Sequence, residues 1–209
     1  MIQANHTSWF QSIFDIYLRY SFRRHFQTIQ IEGCIKDKGL PMLVIANHIS
    51  WWDGFWLLHT NKKKFRRKFH VMMLEEQLNK NRFLSRLGAF SIRRKTRSAL
   101  DSIHYARQIL TSTSNLLLLF PQGEIQSQYK FPFVFEQGWQ RILEDIHHPI
   151  QIVMVCNIVD YFSHQKPTLY QYLSSPDQNT ELTCATIEKM YNNFYQQSIS
   201  QQAERINVL

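Results

Sequence analysis

"PMLVIANHISWWDGFW", residues 41–56, decides how this chain is to be folded. From Pro41 to Asn47 the run is apolar but for its last residue, which predicts a strand buried on both faces, as in a parallel sheet covered by helices. Residues 50–60 then predict a short helix with Ser50 as its N-cap. Between the two lies Asn47-His48, and Asp53 follows the histidine by five residues. Strand ends in α/β sheets can expose polar groups in a crevice while a rigid scaffold holds them. A related frame at the N-terminus, "ANHTSWFQ" (4–11), has Gln11 where the acid would stand. His6 is therefore expected outside the sheet, at a polar start to a helix.

Working outward, strands and helices alternate. Strands are predicted at 28–33, 41–47, 69–74, 91–94, 115–120, 149–159 and 167–173, and helices at 8–26, 50–60, 98–112, 138–147 and 181–206. Apolar strands interleaved with helices indicate an α/β fold: a mainly parallel central sheet flanked by helices, with an N-terminal amphipathic helical segment. Residues 1–27 form that segment and residues 28–209 the α/β domain. In the first helix, Trp9, Phe10, Ile13, Phe14, Ile16, Tyr17 and Tyr20 recur at mostly helical spacing, and Arg19, Arg23 and Arg24 cluster at its far end. Such a face suits either packing onto the domain or lying in a membrane interface.

The 209 residues carry a net charge of +8, with 14% aromatic side chains. The cations are concentrated: "NKKKFRRKFH" (61–70) and "SIRRKTR" (91–97) favour an anionic partner. Cys34, Cys156 and Cys184 form no C-x-x-C pair, so neither a disulfide framework nor a zinc site is expected. No uncharged apolar run approaches the roughly 18–20 residues that span a bilayer, and the N-terminus does not read as a signal peptide.

His48 is the candidate of most chemical interest. A carboxylate just over one helical turn along can accept the proton of one imidazole nitrogen, fix the tautomer and stabilise the imidazolium, leaving the other nitrogen as a base. Such a pair can deprotonate a hydroxyl for attack on an acyl carbon. No serine or cysteine stands out as a nucleophile, which favours direct transfer. His70 and Glu75 share the spacing, but His70 falls inside an apparent strand, where an odd separation points side chains apart; a structural role is expected there. An ordinary capping histidine remains the competing reading of His48.

A second strand end, "LLLLFPQGEIQ" (116–126), breaks at Pro-x-Gly. Together "NHISWWD" and "FPQGE" resemble the glycerolipid (lysophospholipid) acyltransferase family, whose hallmark is N-H-x-x-x-x-D followed by F-P-E-G-T-R-S. "GAFSIRR" (88–94), "FEQGWQRI" (135–142) and "HPIQIVMV" (148–155) resemble further blocks of that family, in order. The resemblance implies His48 as general base and Asp53 as its orienting partner. It implies a substrate site from Asn47, Ser50, Phe120, Pro121, Gln122, Gly123 and Glu124, with Arg93 or Arg94 holding an anionic group. It departs from the family pattern at Gln122 (glutamate in the family), Glu124 (threonine) and Ile125 (arginine, assigned to the acceptor phosphate).

The expected activity is transfer of a fatty acyl group from a thioester, acyl-CoA or acyl-carrier protein, to a lipid hydroxyl such as that of a lysophospholipid. No metal or other cofactor is expected, and the expected partners are membrane lipids and the acyl donor, not nucleic acid. The expected location is cytoplasmic, peripheral on the inner face of the membrane. Two alternatives stand beside it: an acceptor without phosphate (an aminolipid or glycosylated lipid), and a non-catalytic basic module that binds membranes or RNA.

Overall fold

The computed structural model describes residues 1–94, 96–136, 138–176 and 183–206. Seven strands, β1 (Thr28–Glu32), β2 (Met42–Ala46), β3 (Lys68–Leu74), β4 (Ala89–Ile92), β5 (Asn115–Leu119), β6 (Gln151–Asp160) and β7 (Thr168–Ser174), form one sheet in the order β1-β7-β6-β2-β5-β3-β4. The five strands from β6 to β4 run parallel, and β7 lies antiparallel to β6 with β1 parallel to β7. The expected α/β fold with a mainly parallel sheet is the one observed. The reversal at one edge follows from chain length: residues 161–167 are too few for the crossover of a dozen or more residues that a parallel partner needs.

Alternating side chains of the central strands build two cores. Leu43, Ile45, Leu117, Leu119, Ile152 and Met154 face α4 (Ser98–Ile109), α5 (Gln140–Glu144) and α6 (Cys184–Ala203), meeting Ile103, Ala106, Ile142, Ile187 and Tyr191. Met42, Val44, Leu116, Leu118, Val153 and Val155 face the other way, against Leu18 and Phe22 of α1 (Ser8–His25) and Trp56 and Leu57 of α2 (Asp53–Thr60). A period of two on buried strands produces this division. β2 is buried at all five positions, as its unbroken apolar run requires.

Several element bounds differ from expectation. α2 begins at Asp53, and its N-cap position, Trp52, makes no side-chain capping bond. The Ser50 hydroxyl accepts from Trp52 N at 3.2 Å instead of capping the helix. The helix expected over 138–147 contracts to α5. Two helical pieces were not foreseen, α3 (Glu75–Lys80) and a 3₁₀ turn (Arg82–Leu87), because "EEQLNKNRFLSRL" is mostly polar and lacks a sustained apolar period. A π-helical turn, Asn61–Phe65, ends α2. Residues 181–182 of the last predicted helix lie outside the described residues.

One face of α1 packs on the domain through Leu18, Ser21 and Phe22. Trp9, Ile13, Ile16, Tyr17 and Tyr20 stay exposed along one stripe, with Ile16 71% exposed. No helix among the described residues is long and apolar enough to cross a membrane.

His70 is structural, as expected: it is buried, Nδ1 donates to Lys68 O at 3.1 Å, and its ring meets that of His6 at 4.7 Å. His6 Nε2 donates to Phe69 O at 2.8 Å, tying the N-terminal residues to β3. Burial, with like charge on His6 and Lys68, lowers the pKa of His70 from 6.5 to about 4. Burial, with Lys63 nearby, lowers that of His59 to about 4. In the unfolded chain both histidines take up protons near pH 6.5, whereas in the fold they wait until about pH 4. The unfolded state therefore binds more protons in this window, so the stability these groups contribute is present above pH 6.5 and lost as pH falls toward 4. For the buried His70 the limiting slope is about 1.4 kcal/mol per pH unit. Urea midpoints should fall steeply from pH 6.5 to 4.5, and His70→Asn should flatten that fall.

Candidate active site

His48 and Asp53 meet where β2 gives way to α2. His48 Nδ1 lies 2.7 Å from Asp53 Oδ2, and the same oxygen accepts from Ile49 N at 2.7 Å and Ser50 N at 2.8 Å. Because a carboxylate accepts, Nδ1 carries the hydrogen, which leaves Nε2 as the basic nitrogen. Nε2 has no partner among the described residues. The loop 48–52 is thus folded around the carboxylate, and Asp53 closes it as the first residue of the helix, where the helix dipole favours a negative charge. The histidine side chain is 24% exposed and the aspartate 0%. Burial pushes the Asp53 carboxyl above the usual range, against the downward pull of His48 and the N–H groups of Ser50 and Ile49.

The second motif packs directly against this pair. The Phe120 ring stacks on the His48 imidazole at 4.3 Å and 18°. Gln122 Oε1 accepts from His48 N at 2.6 Å, and Gln126 N donates to His48 O at 2.8 Å, so the segment after β5 clamps the His48 backbone from both sides. A glutamate at 122 would accept the same N–H; the amide adds a donor, and Gln122 Nε2 reaches Gln126 Oε1 at 3.0 Å. Gln126 Nε2 in turn donates to Glu124 Oε1 at 3.0 Å. Gly123 turns with φ +73, and a Cβ there would stand 2.1 Å from an Arg94 guanidinium nitrogen. Its lack of a side chain lets Arg94 bond the Gly123 carbonyl.

The other expected residues fall into two groups. Ser50, Phe120, Gln122, Gly123 and Glu124 gather around the His48 loop, with Pro121 buried beneath. Asn47 has no exposed surface: its amide donates to Asn157 O at 2.8 Å and accepts from Asn157 N at 2.7 Å. It pins β2 to β6 behind the pair rather than facing a substrate. Arg93 is engaged by Glu75, and Arg94 by Gly123 O and by Glu136 at 3.7 Å. Neither arginine stands unpaired to receive an anion. Ile125, at the family's arginine position, is 54% exposed.

Sequence reasoning missed Gln126, Asn157 and Trp51. A lone amide inside the apolar run "IVMVCNIV" was a signal for Asn157; nothing in the spacing marked Gln126. Trp51 is exposed three residues after His48, and its ring touches Phe55 at 4.7 Å, Phe55 touches Phe14 at 5.6 Å, and Phe14 touches Tyr17 at 5.4 Å. Aromatic contacts therefore run from the His48 loop to the exposed stripe of α1.

Two clefts lie elsewhere. One of about 250 Å³, lined by Lys38, Leu143, His148 and Gln151, sits at the N-terminal end of β2 and β6. Another of about 100 Å³ is lined by His6, Lys62, Arg67 and Lys68. The basic cluster 62–68 is also at that end, where β3 begins, removed from His48 by the length of a strand, about 20 Å. Among the described residues, no three of His, Cys, Asp and Glu come together in a way that could hold a metal ion.

A search of curated proteins finds no match to this chain. The sequence model of the family described as Acyltransferase matches residues 18–156, which takes in both strand-end motifs and well over half of the chain. The chain belongs to the glycerolipid acyltransferase family.

Proposed function

We propose that this acyltransferase moves a fatty acyl group from a thioester, acyl-CoA or acyl-carrier protein, to the hydroxyl of a lipid such as a lysophospholipid, with His48 as general base. The observation that carries this reading is the His48–Asp53 pair, bonded through Nδ1 at a strand end with the imidazole partly open to solvent. Nε2 takes the hydroxyl proton as the oxygen attacks the thioester carbonyl, and the imidazolium is stabilised by Asp53. The C–S bond then breaks, and the departing thiolate takes the proton from Nε2. A non-catalytic basic module would leave the pair, its clamp by the second motif and the family match without a purpose.

The apolar chains would be accommodated at the surface. Trp51 and Ile125 flank the His48 loop, and the aromatic path from Trp51 leads to the exposed stripe of α1. That stripe, with Arg23 and Arg24 at its end, suits a peripheral position in a membrane interface, where lipid acyl chains arrive beside His48.

A second reading of the acceptor is favoured by one observation: Arg93 and Arg94 are both paired with acids, and Ile125 replaces the family's phosphate-binding arginine. An acceptor without phosphate at that point, an aminolipid or glycosylated lipid, fits the exposed Glu124 carboxylate. The test is mass spectrometry of products from purified protein, supplied in parallel with acyl-CoA and with acyl-carrier protein thioester, and vesicles carrying lysophosphatidic acid, a lyso-aminolipid or a glycolipid. An acylated product is expected in at least one arm, and the arm identifies the acceptor class. No acylated product in any arm, with folded protein, contradicts the proposal.

A further inference from the structure

Beneath α2 runs a seam of buried polar groups that starts at the carboxylate beside His48. Asp53, Trp56 and Thr60, at positions i, i+3 and i+7, share one stripe of the helix, and all three are essentially without exposed surface. On β6, Asn157 has the parity of Val155 and Val159, which belong to the core under α2; on β7, Gln171 has the parity of Leu169 and Leu173. Thr60 Oγ1 donates to Gln171 Oε1, and Gln171 Nε2 donates to Asn157 Oδ1 at 2.8 Å. Asn157 is in turn locked to Asn47, the residue before His48, through its backbone.

Among the described residues, three buried side-chain atoms have no hydrogen-bond partner: Asp53 Oδ1, Trp56 Nε1 and Asn157 Nδ2. One is an acceptor and two are donors, and they belong to neighbouring positions of the same seam. Each, left unpaired, would carry the uncompensated desolvation of a buried polar group. Mutual satisfaction resolves all three, and one buried water with polar partners on several sides would accomplish it. Oδ2 is already filled by His48, Ile49 and Ser50, so Oδ1 is the oxygen left to receive them.

We infer that Trp56 and Asn157 are positioning residues for Asp53, their N–H groups converging on Oδ1 through a buried water to keep the carboxylate ionised and Oδ2 aimed at His48. This rests on the reading of Asp53 as partner of the base. Among the described residues, the other ionisable group coupled electrostatically to Asp53 is Tyr191 of α6, which lies across the sheet in the opposite core and whose phenol burial holds well above its usual range and therefore neutral.

The test is Trp56→Phe, which removes the indole N–H and keeps a large aromatic ring, alongside Asn157→Asp, which keeps the acceptor for Gln171 and removes the donor. With one donor fewer, the carboxylate ionises less readily. Trp56→Phe should then lower kcat by about tenfold, leave KM unchanged, and move the acid limb of the kcat profile to higher pH; Asn157→Asp should move it further. A purely structural Trp56 would lower Tm and leave the kcat profile in place, and that result overturns the inference. A readout independent of turnover guards against variants that do not fold. The Trp56 indole ¹H–¹⁵N resonance, assigned by its loss in Trp56→Phe, should shift in Asp53→Asn and exchange faster with solvent. An indole resonance indifferent to Asp53→Asn overturns the inference even if the protein is active. If the wild type shows no acyl transfer while the indole responds, the assigned reaction fails and the network stands.

Discussion

Asp53→Asn is expected to lower kcat for acyl transfer by about 10²–10⁴-fold, with the protein remaining folded. The hydrogen-bond geometry says how. Oδ2 faces three donors, His48 Nδ1, Ile49 N and Ser50 N. An asparagine must present its carbonyl oxygen to them, since its NH₂ would meet three N–H groups head on. The His48 tautomer and the loop are therefore kept, but the negative charge that stabilises the imidazolium is lost. The displaced NH₂ lies at the Oδ1 position, on the side of Trp56 Nε1 and Asn157 Nδ2, where only donors await it. Because asparagine is neutral, the desolvation that pushes the Asp53 carboxyl upward is also relieved. Far-UV circular dichroism and an assay with acyl-CoA and the best acceptor check both halves of this expectation: native ellipticity with lost turnover.

His48→Asn should be at least as damaging to transfer and equally gentle to the fold. The asparagine Nδ2 occupies nearly the place of the imidazole Nδ1 and can still donate to Asp53 Oδ2, so the buried carboxylate keeps its three donors. What disappears is Nε2, the one nitrogen that could accept the hydroxyl proton. His48→Ala is the poorer probe because it strips a donor from a carboxylate that is itself fully buried, and the cost of that loss would be confused with the loss of the base.

The strand-to-helix switch at Asn47-His48 was legible because β2 is apolar at every position and ends abruptly, and the pairing of His48 with Asp53 followed from that switch. The family's blocks then located the second strand end. The start of α2 was misplaced since Ser50 looks like a cap, whereas the carboxylate of Asp53 collects the loop N–H groups itself. The direction of β7 depends on the length of a loop rather than on any residue pattern. The arginines were legible as cations but not as ion pairs: Arg93 meets Glu75 and Arg94 meets Glu136, acids 18 and 42 positions away that no local spacing connects. Gln171 escaped notice for the same reason, as a polar group whose partners, Thr60 of α2 and Asn157 of β6, arrive from other elements of the fold.

A hydroxyl proton handed to an imidazole is the step on which the rest depends. Its most direct measurement is the rate of acyl transfer from acyl-CoA to the acceptor, for wild type and His48→Asn at equal concentrations of folded protein. A rate for the variant lower by about 10²-fold or more is predicted; a rate within a few-fold of wild type would show that another group takes the proton.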